Sequence, residues 1–368
     1  MSIGQDPETV GPDQGQDAVD AYADKIFTSI LGAMETLSLY LGDRLGWFQA
    51  LVGQSLTASE LAAATSTQPR YALEWLEMQA VYGNLTCSDA PTAAERRFQL
   101  PPGAAEVLTD TSSLAYLGAL PRMVAAAGQH LDALLRAYRD GGGVSWGELG
   151  EDARASQAAS NRPWFEQRLA PALASVPEVH AVLGAPGSRI ADVGCGAGWS
   201  SLALARAYPD AYVVGLDVDA PSVEVARANA AEAGLSERVA FRLADGDQVE
   251  PAGFDAVFAF ECLHDMPRPV EVLASIRSSL RADGVVVVMD EAVADTFSAP
   301  GDTVEQAMYG FSTLICLPDG LSSTPSAGTG TVMRRSTLTA YAEAAGFTSV
   351  EVLPIQGFGF FRFYRLRG

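Results

Sequence analysis

The sequence contains almost no lysine and has a large excess of acidic residues. Lys25 is its one lysine, and 45 acidic residues against 24 basic ones give a net charge of −21. Proteins that bind duplex nucleic acid or anionic membranes need clustered basic side chains to neutralise phosphates. The arginines here are scattered, so the sequence disfavours both partners, and the acidity itself favours solubility.

Cysteine is also sparse, and no apolar run is as long as a membrane span. The four cysteines, Cys87, Cys195, Cys262 and Cys316, form no C-x-x-C pair, which favours a reduced, cytoplasmic chain. Residues 1–20 carry five acids and no base, unlike a signal peptide, and we expect a disordered acidic tail there. The rest of the composition is that of a globular protein, with 48% apolar and 19% charged residues.

Residues 21–140 predict a mostly helical N-terminal domain, and residues 141–187 predict linker helices. Within the first region, two helices and then two short extended pieces are expected near residues 58–64, 69–82, 85–87 and 98–100. Helix, turn, helix and a small hairpin form the outline of a winged helix.

Residues 188–368 alternate between strand and helix patterns, which predicts an α/β fold with a Rossmann-like, doubly wound parallel sheet. We expect strands near 189–193, 212–216, 238–243, 254–260 and 284–290, with helices near 199–207, 220–234, 268–281 and 336–345. The end departs from a simple Rossmann pattern, because two strands around Gln356-Gly357 predict an antiparallel hairpin. The stretch 295–334 is rich in Gly, Pro, Ser and Thr and reads as an irregular lid or binding loop.

A glycine-rich loop follows the first strand of this second region. Residues 192–198 read DVGCGAG and precede Trp199. Such glycines let the backbone turn tightly and approach a ligand, and the next helix offers free N–H groups to a carboxylate. A dinucleotide-binding loop has the spacing G-x-G-x-x-G, which would need a glycine where Trp199 stands. The acid two positions before the first glycine would also lie awkwardly beside a pyrophosphate.

Three acidic residues stand at the ends of three successive predicted strands. Asp192 precedes the loop, Asp217 ends the next strand and Asp245 follows the third. The first can accept from an amino group, the second can hold both hydroxyls of a ribose, and the third can accept from an adenine amino group. An amino acid, a ribose and an adenine are the parts of S-adenosylmethionine, so the pattern favours this cofactor over NAD.

The loop and these acids resemble those of the class I S-adenosylmethionine-dependent methyltransferases, over residues 188–368. The whole chain is similar to a bacterial subgroup with an N-terminal winged-helix domain, which includes small-molecule O-methyltransferases. The resemblance implies transfer of a methyl group to a small-molecule acceptor, and the sequence shows no metal site. It also implies cofactor contacts at Asp192, Gly194, Gly196, Gly198, Asp217, Val218, Asp245, Gly246 and Phe260.

The segment after the fourth strand reads FECLHDM over residues 260–266 and faces the ligand crevice of such a sheet. It resembles a Leu-His-Asp stretch of O-methyltransferases, which implies that His264 is the general base, with Glu261 and Asp265 as further catalytic candidates. A neutral imidazole can take a proton from a phenol or another acidic hydroxyl. The alternatives are packing or capping for His264, a helix cap for Asp265, and either cofactor or acceptor contact for Glu261. The related pattern continues with Trp, where this sequence has Met266.

Apolar and aromatic residues from separate segments are candidates for the acceptor pocket. We expect it to involve Trp164, Phe165, Met308, Tyr309 and Phe311, together with Phe358, Phe360 and Phe361 of the last strand. Such a lining suits a hydrophobic small molecule, and ordinary core packing is the alternative for each residue. In the O-methyltransferases that the chain resembles, the N-terminal domain roofs this pocket and builds dimers, which implies a homodimer here.

Two other readings remain open. A winged helix joined to a cofactor-sensing domain would make a DNA-binding regulator, although residues 55–105 hold five acids and only three bases. A methyltransferase fold can also use its cofactor structurally and catalyse another reaction, since fold alone does not define function.

Overall fold

The computed structural model describes residues 12–368, with side chains from residue 15 onward, and its contacts divide the chain between Thr109 and Asp110. The elements of the first unit are α1 (Pro12–Arg44), α2 (Trp47–Leu51), α3 (Ala58–Thr65), α4 (Pro69–Val81), β1 (Thr86–Cys87), β2 (Phe98–Gln99) and α5 (Ala104–Thr109). Over the described range, no helix combines the length and apolar character that crossing a membrane requires.

The second unit holds the remaining elements. Its helices are α6 (Leu120–Gln129), α7 (Leu131–Asp140), α8 (Trp146–Trp164), α9 (Ala170–Ala174), α10 (Pro177–Leu183), α11 (Trp199–Ala207), α12 (Ala220–Glu232), α13 (Pro269–Ser279), α14 (Thr303–Phe311), α15 (Leu317–Leu321) and α16 (Arg335–Ala344). Its strands are β3 (Arg189–Val193), β4 (Tyr212–Asp217), β5 (Val239–Leu243), β6 (Phe254–Phe260), β7 (Leu280–Glu291), β8 (Ser349–Val352) and β9 (Phe361–Arg367). Two π-helical segments, Phe165–Leu169 and Ser312–Cys316, continue α8 and α14.

Helices α2 to α4 and a small hairpin form the core of the first unit. Thr57 and Glu60 cap the start of α3 reciprocally, and Pro69 stands in the first turn of α4, both of which are start signals visible in the sequence. Strands β1 and β2 pair antiparallel, and Leu56 bridges to Phe98. The elements thus occur in the order that the winged-helix prediction requires, around Trp47, Phe48, Leu51, Leu61, Trp75 and Leu76.

Helix α1 begins inside the stretch that was expected to be a disordered tail. It starts at Pro12, and the Gln16 side chain donates to Asp20 Oδ1 one turn later, at 2.8 Å. Acidic residues near a helix start are stabilised by the helix dipole, and composition alone does not distinguish this from a tail. The expectation is therefore corrected for residues 12–20, whereas residues 1–11 lie outside the described residues.

A seven-stranded sheet in the order β5-β4-β3-β6-β7-β9-β8 forms the centre of the second unit. Strands β3 to β7 pair in parallel, and β9 runs antiparallel to both β7 and β8. The strand order reverses at β3, between β4 on one side and β6 on the other, and ligands bind at such a switch point outside the carboxyl ends of the strands. The predicted α/β architecture with a C-terminal antiparallel strand is confirmed.

The sheet is covered on both faces, and this explains its apolar strands. Along β7, Val285, Val287 and Met289 join one core, and Val286 and Val288 join the other. The linker helices predicted for residues 141–187 contribute to the first of these cores, through Phe165, Leu169, Leu173, Val179 and Leu183. The contact boundary accordingly lies at Thr109, upstream of the predicted boundaries at residues 140 and 187.

Two local predictions are corrected. Gln356-Gly357 does not form a tight turn, because residues 353–360 connect β8 to β9 and bury Leu353 and Phe358 in the core. The stretch 295–334 is not irregular throughout, because it contains α14, a π-helical segment and α15. Asp302 caps the start of α14, and Arg334 pairs with the buried Glu305 at 3.1 Å, so specific polar contacts order this stretch.

Candidate active site

The glycine loop connects β3 to α11 at the carboxyl edge of the sheet. Gly194 and Gly198 have φ angles of +72° and +81°, in the left-handed region that favours glycine. A Cβ at Gly194 would lie 2.7 Å from Cys262 Sγ, and one at Gly198 would lie 2.5 Å from Phe241 Cζ. Nothing lies within 4 Å of the Cβ position at Gly196, so this side of the loop has room for a ligand.

Asp217 is fixed against this loop by backbone donors. Its Oδ2 accepts from Gly196 N–H at 2.7 Å, and its Oδ1 accepts from Asp219 N–H at 2.8 Å. Burial raises the pKa of Asp217, and these backbone hydrogen bonds counteract the rise. A carboxylate at the end of β4 with further lone pairs is suited to accept from vicinal hydroxyls.

Asp192 lies beneath the loop at the end of β3. Its Oδ2 accepts from Ser200 Oγ at 2.6 Å and from Ser201 Oγ at 2.5 Å. Burial raises the pKa of this carboxyl to about 6, although the two hydroxyls act in the opposite direction. Its Oδ1 has no hydrogen-bond partner among residues 12–368, so one acceptor atom remains for a ligand.

Asp245 lies at the end of β5 beside a cavity of about 460 Å³. Its Oδ2 accepts from Arg268 Nη2 at 3.2 Å. The cavity is lined by Asp245, Pro267, Arg268, Glu271, Ser323, Thr324 and Pro325. The third predicted cofactor acid thus faces open space, and an arginine already holds one of its oxygens.

The other predicted cofactor residues have different surroundings. Val218 is 70% exposed in the turn after β4. Gly246 is buried, and a Cβ there would lie 3.0 Å from a methyl group of Val193. The Phe260 side chain stacks on Phe258 in the core, with ring centroids 5.0 Å apart. Their contact with a cofactor stays a prediction.

His264 follows β6 and is buried among carboxylates. Its Nδ1–H donates to Asp290 Oδ1 at 2.9 Å, and the same nitrogen lies 3.2 Å from Glu291 Oε2. Its Nε2 lies 3.3 Å from Asp265 Oδ1. Asp290 and Glu291 end β7, the strand next to β6, so neighbouring strand ends bring these groups together.

The carboxylates determine the protonation of this cluster. Burial by itself lowers the pKa of His264, but the charges of Asp265, Asp290 and Glu291 outweigh it and hold that pKa well above its usual value. Burial acts to raise the pKa of Asp290, yet the charge of His264 and hydrogen bonds lower it overall. Burial raises the pKa of Glu291. The carboxylates therefore favour the positively charged imidazole, the charge of His264 favours the ionised form of Asp290, and burial favours the protonated form of Glu291.

Glu261 ends β6 in a strained backbone conformation. Its φ of +52° is uncommon for a residue with a side chain, and such strain clusters at functional sites. Asn161 Nδ2 donates to its Oε2 at 2.6 Å. Burial raises the pKa of Glu261 to about 7, although hydrogen bonds from Asn161 and Gln157 lower it. The carboxyl thus lies near enough to His264 for their charges to interact, and it changes its own charge near neutral pH.

Asp265 is not the cap of the following helix, contrary to one of the alternatives considered for it. Helix α13 begins at Pro269 with Arg268 as its N-cap residue, and no side chain caps it. Asp265 faces His264 instead, and it is near enough to Cys316 for the two groups to affect each other's ionisation. Burial raises the pKa of the Cys316 thiol to about 12.

One stripe of α8 contacts the segments that follow three strands at the carboxyl edge of the sheet. Arg154 donates twice to the Asp219 carboxylate, each time at 2.7 Å, in the loop after β4. Asn161 binds Glu261 after β6, and the Arg162 guanidinium lies 4.1 Å from the Trp199 ring centroid after β3. The helix thus ties the three loops to one rigid element.

Residues 185–316, which contain the glycine loop, Asp217 and His264, match a protein-family model described as a methyltransferase domain. This domain belongs to the class I S-adenosylmethionine-dependent methyltransferases. The family expected from the loop and its three acids is thereby confirmed.

Named relatives share part of this methyltransferase domain. Methyltransferase GfsG of Streptomyces halstedii is 35% identical over 130 residues, which make up 35% of this chain and 45% of that protein. The 27-O-demethylrifamycin SV methyltransferase of Amycolatopsis mediterranei (strain S699) is 35% identical over 106 residues, or 28% of this chain and 39% of that protein. The chain spans less than half the length of these relatives.

Solved structures resemble nearly the whole chain. Mitomycin 7-O-methyltransferase MmcR has a TM-score of 0.71 at 21% identity, covering 95% of this chain and 99% of that one. PigF with SAH also has a TM-score of 0.71, at 18% identity, covering 94% and 99%. At these identities the likeness shows the fold.

The residues predicted for the acceptor pocket have several surroundings in the second unit. Phe165 packs on Phe260 in the core, and Trp164 packs on Phe358, with ring centroids 5.7 Å apart in both pairs. Their role in acceptor binding stays a prediction, and core packing accounts for Phe165 without it.

The remaining predicted pocket residues lie on α14. Met308 is buried, and Phe311 packs against a separate cluster that includes Ile315. Tyr309 is 41% exposed, and Arg334 donates to its hydroxyl. Their contact with an acceptor likewise stays a prediction.

Sequence reasoning missed several members of the polar cluster around His264. Asp290 and Glu291 follow the apolar run of β7, the same signal that identified Asp192 and Asp217, so their position was available from the sequence. Asn161, Gln157 and Cys316 come from helices distant in the chain, and no local signal indicates that they reach this site.

Proposed function

We propose that this chain transfers a methyl group from S-adenosylmethionine to a small hydrophobic or aromatic acceptor, with His264 as the general base. The observation that carries the proposal is an imidazole held by Asp290 at the same sheet edge as the glycine loop and Asp217. Related domains in named methyltransferases support it.

The residues around the glycine loop fit this cofactor. Open space at Gly196, the acceptor oxygens of Asp217 and the free Oδ1 of Asp192 suit an amino-acid and a ribose group. Asp245 beside the cavity suits the adenine amino group. When bound, the cofactor supplies an electrophilic methyl group on its sulfonium.

The chain's own task is to remove a proton from the acceptor. Asp290 accepts from Nδ1–H, which orients the ring and leaves Nε2 as the atom that takes the proton. The surrounding carboxylates raise the pKa of His264 and so favour a proton on Nε2. That proton has to leave before Nε2 takes one from the acceptor. Glu261 and Asp265 lie at the same cleft and are proposed to orient the acceptor.

The DNA-binding alternative receives no support from the first unit. Its three basic residues between 55 and 105 all pair with acids, as Arg70 with Glu74, Arg96 with Glu77 and Arg97 with Glu60. Paired arginines are poorly suited to neutralise phosphates.

A second copy of the chain is the proposed protein partner. Helix α1 presents a row of apolar side chains, each 45–64% exposed, at Tyr22, Ile26, Ile30, Met34, Leu37 and Leu41. Steps of three and four residues place them on one face, as in paired helices. Sedimentation equilibrium tests this, and a monomer at micromolar concentration would contradict it.

The experiment for the proposed function has two independent readouts. Calorimetry measures binding of S-adenosylmethionine and of its demethylated product, with NADH as the comparison. A panel of phenolic and other hydroxylated aromatic acceptors is then incubated with methyl-labelled cofactor. Binding of NADH in place of the methyl donor would overturn the proposal, as would cofactor binding with no labelled product from any acceptor class.

A further inference from the structure

Three side chains with metal-ligating atoms meet beside the imidazole. The ligand atoms of His264, Asp265 and Cys316 all lie within 4.8 Å of one another. His264 is buried, and the other two residues are half-buried. Nitrogen, oxygen and sulfur form a donor set that Zn²⁺ accepts, and three protein ligands with one open position are typical of reactive zinc sites.

The imidazole is held so that Nε2 is directed at this group. Nδ1–H donates to Asp290 at 2.9 Å, and metal-bound histidines almost always donate their other ring N–H to a carboxylate, a backbone carbonyl or water in this way. Nε2 lies 3.3 Å from Asp265 Oδ1, yet that oxygen has no hydrogen-bond partner in the described part of the chain. Two ligand atoms on an edge of a tetrahedral zinc site are about 3.4 Å apart, given bond lengths of about 2.0–2.1 Å. The observed separation matches that edge.

A local change in helical register accompanies the third ligand. Cys316 is the last residue of the π-helical segment Ser312–Cys316, between α14 and α15. A π-helical turn holds one residue more than an α-helical turn, and such turns recur at functional sites. His264 and Asp265 are neighbours in the sequence but Cys316 is far from them, so the spacing does not indicate a metal, and only the fold brings the third ligand to the other two.

We propose that His264, Asp265 and Cys316 bind a zinc ion, which occupies the imidazole lone pair and reversibly blocks its action as a base. The thiol proton and any proton on Nε2 pass to solvent, and bonds form from zinc to Sγ, Nε2 and the carboxylate, with water as the fourth ligand. One thiolate and one carboxylate balance the charge of the ion. Binding itself is independent of the proposed methyl transfer, whereas the block rests on it.

Cobalt(II) is the probe, because it substitutes for zinc and reports its ligands by absorbance. The full chain, freed of metal with a chelator, is expected to show a thiolate-to-cobalt charge-transfer band that zinc displaces. Cys316→Ser is expected to lose the band and to weaken zinc binding by about 100-fold or more, since loss of even an indirect partner costs 10- to 100-fold. Cys87→Ser, which changes an exposed cysteine in the first unit, is the matched control and keeps the band.

A band that is absent in the unchanged chain, that survives Cys316→Ser or that disappears in Cys87→Ser would overturn the site. Asp290→Asn keeps the shape of the partner of Nδ1 and is expected to weaken zinc binding about 10-fold while the band remains. Circular dichroism of each variant separates loss of a ligand from loss of the fold.

The activity measurements keep this inference separate from the proposed function. Methyl transfer is assayed in chelator and then with added zinc, while the cobalt band is recorded on the protein alone. Transfer in chelator that falls with zinc supports both proposals. A cobalt band without any methyl transfer would remove the proposed function and leave the metal site. Methyl transfer without a cobalt band would remove the metal site and leave the proposed function.

Discussion

The carboxylates beside the glycine loop and those beside His264 have different hydrogen-bonding partners. On the glycine-loop side, Asp192 and Asp217 accept hydrogen bonds from two serine hydroxyls and two backbone N–H groups. On the His264 side, Asp265, Asp290 and Glu291 surround a single imidazole, with carboxylate oxygens 2.9–3.3 Å from its nitrogens. The first side is therefore built to present charge at fixed positions, and the second to hold and release protons.

This difference follows from the sources of the donors. A tight loop next to a helix start offers backbone N–H groups that point at one place, and these stabilise a carboxylate wherever the fold puts it. On the other side the backbone N–H of Glu291 donates to Asp290 Oδ1 at 3.1 Å, and the charge of the imidazole is the larger cause that lowers the pKa of Asp290. Substitutions on the two sides should accordingly affect different measurements.

The largest effect is expected from His264→Ala. Loss of a general base typically lowers turnover by about 10²–10⁴-fold, whereas the cofactor dissociation constant should hardly change, because its contacts lie on the other side. Initial rates measure the turnover, and calorimetry measures the dissociation constant of the cofactor. His180→Ala, which removes a ring that contacts Tyr208, is the control. Near-normal turnover in His264→Ala would show that the histidine is structural.

Asp217→Ala tests the glycine-loop side. Loss of a charged hydrogen bond of about 1.5–3 kcal/mol should weaken S-adenosylmethionine binding by about one to two orders of magnitude. Calorimetry checks this, with the exposed Asp210→Ala as the control. Unchanged affinity would mean that Asp217 serves only to hold Gly196 and Asp219.

Asp265→Asn should shift the pH dependence of catalysis. The negative charge of Asp265 helps to keep the pKa of His264 high, so its removal lowers that pKa. The rising limb of kcat/KM, which follows loss of the proton from the base, should therefore move to lower pH. Profiles of Asp265→Asn and of the exposed Glu232→Gln are compared with the unchanged chain. A limb that stays in place would exclude His264 as the titrating base.

Glu261→Gln should change how the free energy of unfolding depends on pH. The pKa of Glu261 is raised from 4.5 to about 7, so the folded state binds more protons than the unfolded state between these values. Its contribution to the free energy of unfolding therefore falls as pH rises through that window. Urea unfolding across this range should show a flatter pH dependence in Glu261→Gln. The exposed Glu250→Gln is the control. If the free energy of unfolding depends on pH in Glu261→Gln as it does in the unchanged chain, Glu261 is not the group that titrates in this window.

The parts of the fold that the sequence predicted are those governed by local rules. Strand β3 and helix α11 have the predicted bounds, because an apolar run, a glycine loop and a helix start mark them within a few residues. The helix cap considered for Asp265 was wrong, because α13 begins at Pro269 and Arg268 is its N-cap residue. The cluster around His264 draws on Asp290, Asn161 and Cys316, and which distant helix reaches a strand end is decided by packing that no local pattern encodes.

The contacts of α8 with the segments after three strands determine where an inserted residue would do harm. Each residue of an α-helix advances the chain by about 1.5 Å and about 100° of rotation. One residue added before Arg154 would leave Arg154 and Asn161 in register with each other, whereas one added between them would prevent the helix from binding Asp219 and Glu261 at the same time. The spacing of seven residues between Arg154 and Asn161 thus fixes the distance between the segment after β4, which holds Asp219, and the segment after β6, which holds Glu261.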